Sequence, residues 1–136
     1  MRPSFVQFNL LLAWLCIALG FGSGLALGLN FHREDWLGGY ASLKRRLYRL
    51  AHISFFGLGA VNLMFYFTAL ALRAEGGLWR HASWGFVIGA VTMPVCCVIM
   101  AHRPKAQPLF AVPVLSLLAA GAAMIWEVIQ TMKESL

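Results

Sequence analysis

Apolar residues run in four long blocks, separated by short segments that hold nearly all of the charge. A helix crossing the hydrocarbon of a bilayer needs ~20 mostly apolar residues, because lipid offers no partner for unpaired backbone N–H and C=O groups. The blocks predict spans over about 5–29, 50–72, 82–101 and 109–132, with Glu127 the one charged residue inside them. The first connection has a different pattern. Tyr40, Leu43, Leu47 and Leu50 recur at helical spacing, with Lys44, Arg45, Arg46 and Arg49 at the positions between. That pattern predicts a short amphipathic interfacial helix over about 40–49 that runs into the second span. Gly38-Gly39 and Gly76-Gly77 supply turns, Trp79 and Trp84 suit the headgroup level, and Pro104 and Pro108 close the third connection. The expected fold is all-α: one membrane domain over 1–136, a four-helix transmembrane bundle with the interfacial helix before its second span.

Composition narrows the class further. The chain is 60% hydrophobic and 12% charged, with a mean hydropathy of +0.73. A soluble domain carries roughly a quarter charged residues, so a soluble fold is excluded, and so is disorder, given the apolar surface available to bury. Eleven Lys+Arg against five Asp+Glu would suit nucleic acid, but the cations lie between apolar blocks, where membrane topology accounts for them. The first and third connections hold seven (Arg33, Lys44, Arg45, Arg46, Arg49, Arg103, Lys105). The N-terminus, second connection and C-terminus hold four (Arg2, Arg73, Arg80, Lys133). This asymmetry places the basic connections in the cytoplasm of an inner or plasma membrane, with both termini outside. The first block continues past Gly20 to Leu29, which favours a retained helix over a cleaved signal. The three Cys lie within apolar blocks and read as reduced and buried.

Small residues at every fourth position let helices approach closely in lipid. Gly20, Gly24 and Gly28 form two such steps, Gly85 and Gly89 a third, and Ser116/Ala120 and Ala119/Ala123 a fourth and a fifth. These faces serve packing within the bundle, or contact with another subunit or a second copy. Pro94 kinks the third span. The absence of an internal repeat gives no support to an inverted-repeat transporter.

The histidines are the informative polar set. His32, His52 and His102 fall at the basic-loop level, whereas His81 falls at the opposite one. Two His from different helices at one level can ligate a b-type haem. His52 and His102 are the candidate axial ligands. Gly59, seven residues beyond His52, shares its face and would admit a flat macrocycle. Arg49 and Arg103 stand where they could meet haem propionates. The bland alternative is that these His anchor helix ends to headgroups or backbone. Without CxxCH, covalent haem attachment is excluded. Cys96 and Met100 share a face as a soft pair suited to Cu(I), though such residues more often simply pack. Glu127 could pair with His81 or Arg80, with Gln7 and Asn9 joining at the same end. Nothing resembles a hydrolytic triad, a phosphate loop or a HExxH site, so an enzyme acting alone is not expected.

The architecture resembles that of four-helix cytochrome b-type membrane proteins. What this implies is a small integral subunit of an electron-transfer complex, possessing a haem b or packing against larger redox subunits. The alternatives are a small solute or metal carrier or channel, which usually shows midplane charges, and a cofactor-free structural or assembly protein.

Overall fold

The structure, a computed structural model, describes residues 5–134 and bears out the four-helix membrane architecture. Arg2, counted above with the outer charges, lies outside those residues. Helix α1 covers Phe5–Leu29, α2 Leu43–Ala71, α3 Gly77–His102 and α4 Ala111–Glu134. Short 3-10 turns at Trp36–Gly38 and Pro104–Phe110 lie in the first and third connections. All four are long and apolar enough to span a bilayer, and at most 33% of any span's most apolar window is buried. The remaining Leu, Phe, Ile and Val surface faces outward, an arrangement favourable in lipid and untenable in water.

Consecutive helices alternate in direction. α1, α2 and α3 pack as a triangle, and α4 lies against α3; among the described residues its backbone approaches neither α1 nor α2. Glycines set these approaches. A Cβ on Gly59 would lie 3.2 Å from the Ala13 carbonyl oxygen and 3.2 Å from Cys16 Cβ. One on Gly85 would lie 2.7 Å from Ala120 Cβ and 3.1 Å from the Ser116 carbonyl. Ser116 Oγ also donates to the Gly85 carbonyl at 2.7 Å, tying α4 to α3 where the backbones come closest.

The apolar core lies toward the termini end. Val6, Phe65, Ala69, Trp79, Ala82, Phe86 and Ala120 form it. Above it a buried polar clasp joins three helices. Asn9 Nδ2 donates to Asn62 Oδ1 at 2.8 Å, and Ser83 Oγ donates to Asn9 Oδ1 at 2.5 Å. Asn62 Nδ2 returns to the Leu58 carbonyl at 2.9 Å. Asn9 and Asn62 are fully buried. Because hydrogen bonds between membrane helices average about 0.6 kcal/mol, the clasp fixes helix register more than it adds stability.

Three expectations change. The stretch over 40–49 is not a separate interfacial helix. Tyr40 lies in a turn, Ser42 caps α2 by accepting from the Arg45 amide at 3.1 Å, and residues 43–49 are the unbroken start of the span. α3 begins at Gly77 rather than near 82, and Trp79 on its first turn is buried in the core rather than facing outward, 3% exposed and packed on Phe65. Asn9 pairs with Asn62 and Ser83 rather than with Glu127, because the triangle brings α2 and α3 to that face of α1.

Candidate functional site

At the basic-loop end, α1 and α3 stand apart and the polar side chains of α2 fill the space between. His52 enters from α2 toward α1. Ser23 Oγ lies 2.9 Å from its Nδ1 and 3.1 Å from the Gly20 carbonyl. A hydroxyl has one proton. With that proton on the Gly20 carbonyl, Ser23 accepts from Nδ1–H; with it on Nδ1, Ser23 donates there, so the contact is compatible with either tautomer of His52. Nε2 has no hydrogen-bond partner among the described residues. Gly24 makes room for the ring, since a Cβ there would lie 2.8 Å from His52 Cε1. Phe56 meets it edge-on at 5.4 Å between centroids.

One turn earlier on α2, Tyr48 reaches α3. Its hydroxyl lies 2.8 Å from Nε2 of His102, and the two rings meet edge-on. His102 ends α3 and is exposed. The two candidate ligands face different neighbours: His52 faces Ser23, and His102 faces Tyr48, one turn away along α2. Gly59, expected to open the face of α2 to a macrocycle, is instead covered by α1 at the helix crossing described above. Arg49 is exposed, with Nη2 3.5 Å from the Tyr40 carbonyl, and Arg103 caps α3 in the third connection. His81, at the opposite end, turns Nδ1 back to the Gly77 carbonyl at 2.6 Å. Cys96 Sγ contacts the Leu109 carbonyl at 3.5 Å rather than Met100.

Arg45 is the residue that a charge count misreads. Taken as one more orienting cation, it is only 3% exposed. Nη1 donates to the Arg33 carbonyl at 3.0 Å and Nη2 to the Phe31 carbonyl at 3.1 Å. The guanidinium lies 3.8 Å from the centroid of Tyr40 and 5.5 Å from that of Trp36. The Tyr40 hydroxyl also donates to the Phe31 carbonyl. Around this cation the chain makes a tight turn, with Leu37, Gly38 and Gly39 at φ 55°, 84° and 95°. Glycine is suited to that left-handed region, and Leu37 is held there by its neighbours. The turn lays Trp36 over the gap beside His52 and Tyr48, where a cavity of about 240 Å³ remains.

Comparison with protein-family models, curated proteins and solved structures returns no match. The functional reading therefore rests on the chemistry of this end of the bundle.

The glycine steps are spent inside the chain. Gly20 faces Phe56, Gly24 faces His52, and Gly85 and Gly89 face α4. Gly28 has open space before it.

Proposed function

We propose that the chain is a small integral membrane subunit of an electron-transfer complex, with its basic connections on the cytoplasmic side and both termini outside. The observation that carries this reading is His52. It is a half-buried imidazole with Nδ1 held by Ser23 and no partner for Nε2 among the described residues, set beside an aromatic-walled cavity near the cationic loops. Such an imidazole can ligate a metal centre or accept a proton, and a partner on the other ring nitrogen is the arrangement that orients ligating histidines. The connections are too short to house a catalytic domain, so the chemistry of substrates falls to other subunits. With Gly20, Gly24, Gly85 and Gly89 used internally, those subunits meet the bundle at the outer face of α4 or beside Gly28. A solute carrier is less well supported, since Glu127 is the one acid within the spans and sits near the end of α4. Isolation of the tagged chain in a mild detergent tests the reading. Polypeptides carrying haem, flavin or iron–sulfur groups are expected to accompany it, whereas recovery of the chain alone under every mild condition contradicts it.

A b-type haem on His52 is a second reading, favoured by the free Nε2. His102 would have to release Tyr48 to become the other ligand, with Arg49 and Arg103 free to meet propionates. The cavity is also smaller than the ~300–1,000 Å³ of ordinary small-molecule sites, so α1 and α3 would have to part. Reduced-minus-oxidised absorbance of the purified chain decides it. Ligation predicts a sharp α band, lost in His52→Ala and His102→Ala and kept in His81→Ala. Absence of a Soret band after growth with ample haem ends the haem reading.

A further inference from the structure

Between α1 and α3, with α2 behind it, the bundle carries a groove of about 550 Å³ that shows no polar atom on its wall. Its floor and its rim are built differently. Cys16, Ala51 and Ala90, at most 5% exposed, form the floor with the buried Pro94, so all three helices contribute compact side chains there. Leu15 and Leu19 of α1 and Val91 and Val95 of α3, each at least half exposed, form the rim. The result is a slot, deep because its floor lacks bulk and edged by branched side chains.

The slot also has a definite place along the spans. Its α3 wall runs from Ala90 to Ile99, ~14 Å at 1.5 Å per residue. That is close to half of the ~30 Å hydrocarbon thickness of a bilayer. Ile99 lies within a turn of His102, where α3 ends at the third connection, so the slot belongs to the leaflet on the basic-loop side.

The shape selects its occupant. A buried water needs about two to four polar partners, and this wall offers none. An empty void forfeits the dispersion contacts of the side chains that line it. A partner helix, about 10–12 Å across, rides on the Leu and Val rim and leaves the floor bare, because close helix approach in lipid needs small residues at the surface rather than sunk behind it. A single hydrocarbon chain is slender enough to reach the floor, and one that enters from the headgroup layer has one leaflet of depth to fill. We propose that the slot holds one acyl chain of a phospholipid from the basic-loop leaflet as a bound, slowly exchanging ligand. Only the tail enters, and it lies lengthwise against Cys16, Ala51, Ala90 and Pro94. It takes the place beside α1 and α3 that α4 leaves open by packing on α3 alone among the spans. The binding is independent of the electron-transfer reading.

Native mass spectrometry reads the occupancy, with the chain isolated from its own membranes and washed extensively in a phosphate-free detergent. The expected spectrum keeps one phospholipid adduct per chain as a major species after the loosely held lipid has gone. Ala51→Leu fills the floor, and Val95→Phe narrows the mouth from an exposed position. Both are expected to lower the adduct about tenfold, as a loss of close packing on this scale implies. Leu25→Phe, exposed on α1 away from the slot, is expected to keep it. Thermal midpoints accompany the variants; if Ala51→Leu is misfolded, Val95→Phe decides. A wild type that is bare after the wash overturns the proposal. Equal adducts in every folded variant overturn it too, and assign the lipid to the basic connections. An adduct with the mass of an isoprenoid or of a small polypeptide, lost in Val95→Phe, overturns it in favour of that occupant.

Discussion

Gly85→Leu is expected to lower the thermal midpoint of the detergent-solubilised protein by the equivalent of about 3 kcal/mol, the upper part of the usual overpacking range. The reason lies in what a side chain would meet there. Its Cβ alone falls 2.7 Å from Ala120 Cβ and 3.1 Å from the Ser116 carbonyl, and neither is the movable end of a flexible side chain. To admit leucine, α4 has to withdraw from α3, and the Ser116 hydroxyl loses the Gly85 carbonyl as it goes. Among the described residues α4 has no backbone neighbour but α3 and its own preceding turn, so α3 is its main support. Gly121→Leu is the control, placed on α4 with nothing within 4 Å of its Cβ. Its midpoint is expected to stay level or rise. Equal midpoints for the two variants would mean that the α3–α4 approach is looser than described.

Arg45→Met is expected to loosen the turn over residues 30–42 while leaving the spans intact. The substitution keeps an unbranched apolar stem but removes two charge-assisted hydrogen bonds and the stacking on Tyr40. Each such bond is worth ~1.5–3 kcal/mol and a desolvated cation–π contact about 2, so the local loss is on the order of 3 kcal/mol after relaxation. Hydrogen exchange reads it. The amides of Gly38, Gly39 and Ser42, which bond within the turn to Asp35, Trp36 and Gly39, are expected to exchange much faster. Arg46→Met, at an exposed position, is expected to leave them unchanged. If both variants exchange alike, Arg45 is an ordinary surface cation after all. Because the turn carries Trp36 over the His52 cavity, the same variant is also expected to weaken any ligand held there.

What the sequence makes legible follows from how locally each feature is encoded. Spans are legible because lipid leaves the backbone no choice but helix, and the apolar blocks are as long as the hydrocarbon is thick. The glycine steps are legible as packing faces. Their partners are not, since the four-residue repeat in Gly20 and Gly24 says nothing about whether Phe56 and His52 or a second protein fills it. Arg45 was illegible for a different reason. A charge count treats Arg45 and Arg46 alike, yet one helical step separates a buried guanidinium from an exposed one. The clasp of Asn9, Asn62 and Ser83 had no local signal either, because its members lie 53 and 74 residues apart from Asn9. His52 was legible as a candidate from its level in the membrane. Its hydrogen bond to Ser23 was not, because it depends on how α1 rotates against α2.

Participation in electron transfer is the central claim, and the redox absorbance of the native assembly tests it most directly. The tagged chain is isolated from its own membranes in a mild detergent and quantified. Spectra are then recorded air-oxidised and after dithionite. The account predicts a reversible redox chromophore, haem, flavin or iron–sulfur, at about one or more per chain and retained through a second purification step. A chain that purifies in quantity with no absorbance change on reduction, alone or with its partners, would contradict it.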